Sequence, residues 1–125
     1  MPGTVYLLIN TEIQALKIGI YNDPKRLGRH TIRGWTLLRS QSYADGQHAL
    51  DVEGCIKILW FDKLGFKLGC TREQMPQGGY TETVSLAEVA EIDATDSFDF
   101  FSSKAPDILD GKQLLALVDE AAKPA

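Results

Sequence analysis

Apolar and polar positions alternate most regularly near the start of the chain. Val5, Leu7 and Ile9 form one apolar set and Leu16, Ile18 and Ile20 a second, with polar residues around Thr11 and Glu12 between them. A period of two on either side of a short polar break predicts a β-hairpin with strands at 5–9 and 16–20. Any loop of even length pairs the two apolar sets on one face and leaves Tyr6 and Lys17 together on the other, less hydrophobic face. Asp23-Pro24 then predicts a helix start, with aspartate as N-cap and proline at the first helical position. Arg26 and His30, four residues apart, fall on one side of that helix.

Residues 31–34 connect to a third predicted strand at 35–42, followed by a turn and cap at 43–46. Helical spacing returns over 47–63, where Ala49, Val52, Ile56, Leu59 and Trp60 share one face. At about 100° per residue, Glu53 sits at the edge of that face beside Ile56 and Trp60. Residues 64–77 form a connection with a short strand expected around 66–68. Ser85 and Glu88 have capping-box spacing, which predicts a helix from there to about residue 94. Residues 95–106 mix acids and serines with Phe98, Phe100 and Phe101. A disordered segment seldom keeps such aromatics, so they are expected to dock on the body or on a second chain. A final helix at about 112–122 follows a cap at Asp107 or Asp110, and residues 123–125 are expected to fray.

The expected architecture is therefore α/β of the α+β kind, a small three-stranded antiparallel sheet flanked by helices. Residues 1–94 would form the domain and residues 95–125 an acidic, phenylalanine-containing extension with a short helix. A chain of 125 residues with 44% hydrophobic content suits one compact domain plus such an extension. No apolar run approaches a membrane span, and the N-terminus lacks a signal-peptide pattern, so no membrane and a cytoplasmic location are expected. Cys55 and Cys70 carry no C-x-x-C spacing and are expected as reduced thiols rather than zinc ligands.

The net charge of −4 hides an uneven distribution. Residues 1–81 carry ten Lys and Arg against seven Asp and Glu, a balance of +3, whereas residues 82–125 carry three against ten, a balance of −7. Lys25, Arg26, Arg29, Arg33 and Arg39 fall within fifteen residues, a cluster that can follow a phosphate backbone or form a solvated helix face. A phenol, an ammonium, a guanidinium and an imidazole can converge from Tyr6, Lys17, Arg26 and His30. Glu53, at the boundary of a buried helix face, is costly without a partner, which a metal ion, water or Arg39 can supply.

Taken in order, Val5-Tyr6, Lys17-Ile18-Gly19 and Arg26 resemble the opening of the GIY-YIG nuclease superfamily. There a strand tyrosine, a second strand ending in glycine and a helical arginine follow one another. His30 matches a position four after the arginine at which some restriction enzymes of the superfamily carry histidine or tyrosine. Valine precedes Tyr6, and Lys17 stands in place of the second tyrosine, as lysine does in another branch. The segment G-G-Y-T-E at 78–82 is similar to one that follows the glutamate helix in some small members, so the likeness spans roughly residues 4–84.

The resemblance implies a metal-dependent endonuclease that hydrolyses DNA phosphodiester bonds, with Tyr6, Lys17, Arg26, His30 and Glu53 as catalytic residues. Tyr6 would act as general base or orient the attacking water, its pKa drawn down by Lys17 and the metal. Arg26 would hold a phosphate oxygen, and His30 would bond the same phosphate or shuttle a proton. Glu53 would bind one Mg²⁺ or Mn²⁺. Lys25, Arg29, Arg33 and Arg39 would contact DNA, single- or double-stranded. Glu82 would reach the site edge or form an edge strand that closes the sheet, the latter being expected because nothing upstream requires a second metal ligand. The competing reading is a catalytically inactive GIY-YIG-like module that binds nucleic acid or protein. In either case the C-terminal extension is a candidate surface for a protein partner or self-association, or a cover that restrains the basic site.

Overall fold

The computed structural model describes residues 1–123. Strands β1 (Gly3–Asn10) and β2 (Ala15–Tyr21) form the central hairpin. Val5 pairs with Ile20, Leu7 with Ile18 and Ile9 with Leu16, so the two apolar sets share a face. The four-residue connection is fixed by Asn10, whose side-chain oxygen accepts from the backbone of Glu12 and Ile13 at 3.1 Å each. Gln14 closes it with a φ of 64°, the left-handed conformation usually taken by glycine or asparagine.

Asp23 accepts from the Lys25 amide at 3.0 Å and Pro24 already has helical dihedrals, which starts α1 (Lys25–Thr31). Strand β3 (Thr36–Tyr43) pairs with the free edge of β1, with a register shift between Leu7 and Leu8. Asp45 caps α2 (Gly46–Lys57) by accepting from Gln47 at 2.9 Å. The helix runs on as a π-helical turn, Ile58–Lys63, so the long predicted helix is continuous but widens at its end.

The sheet has four strands, not the three expected, in the order β3-β1-β2-β4. Strand β4 (Thr83–Ser85) is three residues long and pairs with β2 through Lys17↔Thr83 and Leu16↔Val84. Three residues are too few to show a period. The strand expected around 66–68 does not form. That stretch is instead tied across β4, where Gly69 and Cys70 amides reach Thr83 Oγ1 at 3.2 and 3.0 Å. A Cβ on Gly69 would lie 2.5 Å from the Val84 backbone, so this crossing requires glycine.

The helix expected from Ser85 to about residue 94 is displaced. Leu86 donates its amide to the Gln14 carbonyl at 2.9 Å, holding this stretch to the hairpin loop, and Ser85 caps a turn through the Ala87 amide at 3.1 Å. Helix α3 begins later, at Glu91, and continues to Lys104. The boundary expected after Ala94 therefore falls inside α3. Phe98 and Phe101 are buried in the same core as Val5, Leu7, Ile18, Val52 and Trp60, so they dock on the body. Helix α4 (Gly111–Ala122) is capped by Asp110, which accepts from Gln113 at 2.9 Å, and buries Val118 in that core. Pro124 and Ala125, of the segment expected to fray, lie outside the described residues.

The opposite face of the hairpin is also covered. Tyr6, Leu8 and Ala15 pack with Trp35, Cys70 and Met75 in a smaller cluster. The sheet is thus sandwiched, with the helical layer of α2, α3 and α4 on one side and α1 with the 70–79 connection on the other. No helix among the described residues is long and apolar enough to cross a membrane.

Because Phe101 is fully buried, Phe101→Ala should lower stability by about 3–5 kcal/mol in chemical denaturation. A loss below about 1 kcal/mol would mean that the C-terminal segment contributes little to this core.

Candidate functional site

A cavity of about 340 Å³ opens at the β2 edge of the sheet, between the smaller-cluster face and α2, with Tyr6, Lys17, Arg26, His30, Glu53 and Glu82 in its wall. Each comes from a different part of the chain for a local reason. Alternation in β1 and β2 turns Tyr6 and Lys17 to this face. The register sets Gly19 opposite Tyr6. A Cβ at position 19 would meet the Tyr6 hydroxyl at 2.4 Å, so the glycine leaves the phenol its place. Arg26 and His30 project from consecutive turns of α1. Glu53 projects from the edge of the apolar face of α2.

Lys17 is 2% exposed. Its ammonium donates to the Ile18 carbonyl at 3.1 Å and to Glu82 Oε1 at 3.3 Å, and lies 5.5 Å from the centre of the Tyr6 ring. Burial lowers its pKa, and Glu82 works in the opposite direction. Glu82 Oε2 lies 3.5 Å from Lys57 Nζ at the end of α2. Burial pushes Glu53 up to about 7, helped by its hydrogen bond to Glu82 and by the charge there. For Glu82 burial acts upward, but Lys17, the hydrogen bond from Glu53 and Lys57 together hold it below the ordinary carboxylate range. Glu53 is thus the weaker acid of the pair and Glu82 the anion.

Tyr6 is pushed up to about 12, first by burial and then by Glu82, with Arg26 acting in the lowering direction. The expectation that Lys17 would draw it down is overturned by desolvation of the phenol. His30 is lowered to about 4 by burial and by Lys17, Arg26 and Arg29. It is a neutral imidazole at pH 7, with Nδ1 3.2 Å from the Gln77 side-chain amide.

Of the basic cluster, Arg29 lines the cavity beside Arg26. Lys25 and Arg33 are exposed and lie outside the lining. Arg39 is turned away altogether. It sits on β3, beyond β1 from the cavity, and pairs with Asp99 of α3 at 3.1 Å, so it is neither the partner of Glu53 nor part of this surface. None of the lining residues comes from α3 or α4, so the acidic C-terminal part does not cover the site.

For Glu82 the edge strand was expected in preference to the site edge, and the structure has both the strand beside it and the carboxylate in the cavity wall. Thr83 does begin an edge strand, but the 3₁₀ turn Tyr80–Glu82 just before it points the carboxylate into the cavity. The visible signal was Gly78-Gly79: both have positive φ, and a Cβ on Gly79 would lie 2.6 Å from Lys17 Cε. The paired glycines let the chain fold closely over the lysine.

As for a cation, Glu53 makes no ion pair among the described residues, while both oxygens of Glu82 face lysines. A carboxylate oxygen facing an open cavity suits a hard divalent ion that retains waters and adds substrate oxygens, as Mg²⁺ does. Among the described residues no group of three or more His, Cys, Asp or Glu converges, so Glu53 would be the main protein ligand. The chain matches no known family model, and neither a curated protein nor a solved structure matches it.

The neutral imidazole has a measurable consequence. His30 falls from an ordinary 6.5 to about 4, so within that window the unfolded chain binds a proton that the folded chain refuses. Its contribution is present above pH 6.5 and is lost as pH falls toward 4. Glu53, raised from 4.5 to about 7, acts oppositely, removing stability as pH rises through that range. Urea denaturation of His30→Gln should therefore show a smaller loss of stability between pH 6.5 and 4 than wild type. Equal losses would exclude a buried neutral imidazole.

Proposed function

We propose that the protein is a divalent-metal-dependent endonuclease that hydrolyses DNA phosphodiester bonds in this cavity. One observation carries the reading. Tyr6, Lys17, Arg26, His30 and Glu53, spaced along the chain as in the GIY-YIG pattern, line a single cavity although they come from β1, β2, α1 and α2. Four elements folded for unrelated reasons would seldom bring that set together.

The roles follow from the local chemistry. Arg26 is exposed at the cavity and unpaired among the described residues, so its planar fork is available to a phosphate oxygen. Arg29, Lys25 and Arg33 extend positive charge along the same helix and the turn after it, where a phosphate backbone would pass. Tyr6 keeps its proton at neutrality, which suits orienting the attacking water better than serving as a free base. Neutral His30, whose Nδ1 accepts from the Gln77 amide, carries its proton on Nε2 and can donate a hydrogen bond from there to a phosphate oxygen. Lys17 places a fixed cation beside Tyr6, where negative charge would develop. A divalent ion held by Glu53 would supply charge neutralisation at the scissile phosphate and stabilise the leaving oxygen.

The test is cleavage of supercoiled plasmid and of a labelled single strand with Mg²⁺ or Mn²⁺. Wild type should cut only with metal. Arg26→Ala should lose about 100-fold or more in rate while keeping its fold, and Glu53→Ala should lose metal-dependent cutting. Cleavage by Arg26→Ala at the wild-type rate would rule this site out. Metal-independent DNA binding without cutting would establish the non-catalytic module instead.

A further inference from the structure

Glu82 stands in this cavity with its two oxygens divided between lysines of two elements. Oε1 accepts from Lys17 of β2 at 3.3 Å, and Oε2 lies 3.5 Å from Lys57 of α2. The stem of Lys17 runs through a slot that two glycines leave open. A Cβ at Gly79 would lie 2.6 Å from Lys17 Cε, and one at Gly19 would lie 3.0 Å from Nζ. The slot sets the direction of the lysine but supplies no negative charge. The ammonium's other neighbours are the Ile18 carbonyl and the face of Tyr6, with the carboxyl of Glu53 near enough for its charge to act on Lys17 but making no ion pair with it, and a buried ammonium stripped of its paired carboxylate is strongly disfavoured.

We propose that Glu82 is a positioning residue for the reaction assigned above: it clasps Lys17 of β2 to Lys57 of α2 and fixes the Lys17 ammonium beside Tyr6. The catalytic part of this proposal rests on the nuclease reading, whereas the clasp does not. Glu82 is set apart from a metal ligand by geometry, since each of its oxygens already faces an ammonium group while Glu53 makes no ion pair among the described residues. Through the clasp, β4 and the glycine turn before it act on the cavity without touching substrate. The cation arrives preplaced, so no side-chain reorganisation is needed when a phosphate enters.

The experiment uses the full chain. Wild type and Glu82→Gln are acetylated with limiting N-hydroxysuccinimidyl acetate, labelling is mapped by peptide mass spectrometry, and cleavage kinetics are measured on the same preparations. Lys17 should resist acetylation in wild type. In Glu82→Gln it should approach the rate of exposed Lys67 and Lys112, whose own rates stay constant. For cleavage, kcat should fall by about 100-fold while KM stays within about threefold, because the loss is one of placement and not of binding.

Wild-type protection of Lys17 in folded Glu82→Gln would overturn the clasp. Faster Lys17 labelling with unchanged kcat would overturn the positioning role. A wild type that cuts neither substrate with either metal would overturn the nuclease reading, and the labelling would still decide the clasp. If circular dichroism shows that Glu82→Gln does not fold, Glu82→Asp, one methylene shorter and so withdrawn from Lys17, takes its place. Lys17 labelling at the wild-type rate in that variant would likewise overturn the proposal.

Discussion

The pairing register of β1 and β2 is the constraint on which the remaining structure depends. Because side chains alternate strictly along a strand, a one-residue slip of β1 would send Tyr6 into the large core and Val5 and Leu7 to the cavity, and a slip of β2 would do the same with Lys17 and Ile18. The register is held at the loop by Asn10, which satisfies two amides with one side-chain oxygen, and by the left-handed turn at Gln14. It is held at the other end by the facing of Tyr6 and Gly19, where a side chain on the glycine would evict the phenol. One hairpin thus supplies both the core that anchors the helices and two residues of the cavity wall.

The electrostatics of the cavity follow from placing charge on a sheet face that is itself packed. Lys17 cannot reach water freely, so it needs a fixed counter-ion, and Glu82 provides one while also engaging Lys57. Glu53, left beside an anion in a desolvated place, is pushed up to about 7. With Arg26 and Arg29 at the rim, the cavity is positive although the chain as a whole carries −4. Six of the 17 acidic residues lie on α3 and α4, behind the sheet, and only Glu53 and Glu82 line the cavity. That segregation suits an anionic ligand at the cavity and removes the apparent conflict between net charge and a phosphodiester substrate.

The C-terminal segment belongs to the same core as the hairpin. Phe98 and Phe101 fill the space between α3, α2 and the sheet, Tyr43 donates to the Ser102 carbonyl at 2.6 Å, and Lys63 pairs with Asp119 at 2.9 Å. An acidic composition after Glu82 suggested an appendage. Composition does not report burial, however, and in α3 the phenylalanines occupy the inner face while the aspartates point outward.

What the sequence by itself determined is what a few neighbouring residues can encode. Alternation over 5–9 and 16–20 defined the hairpin and its two faces, Asp23-Pro24 and Asp45 marked two helix starts, and helical spacing placed Glu53 at an apolar edge. The order of Tyr6, Lys17, Arg26, His30 and Glu53 was therefore legible as a candidate set. Only the tertiary structure decided that Glu82 meets Lys17 across 65 residues, that the edge strand begins at Thr83 and leaves Glu82 in the cavity wall, and that Leu86 is tied to the hairpin loop so that α3 starts late. It also decided that Arg39 turns to Asp99 and that Tyr6 keeps its proton. Each depends on which distant surfaces come together and how much water they exclude, and neither period nor spacing along the chain carries that information.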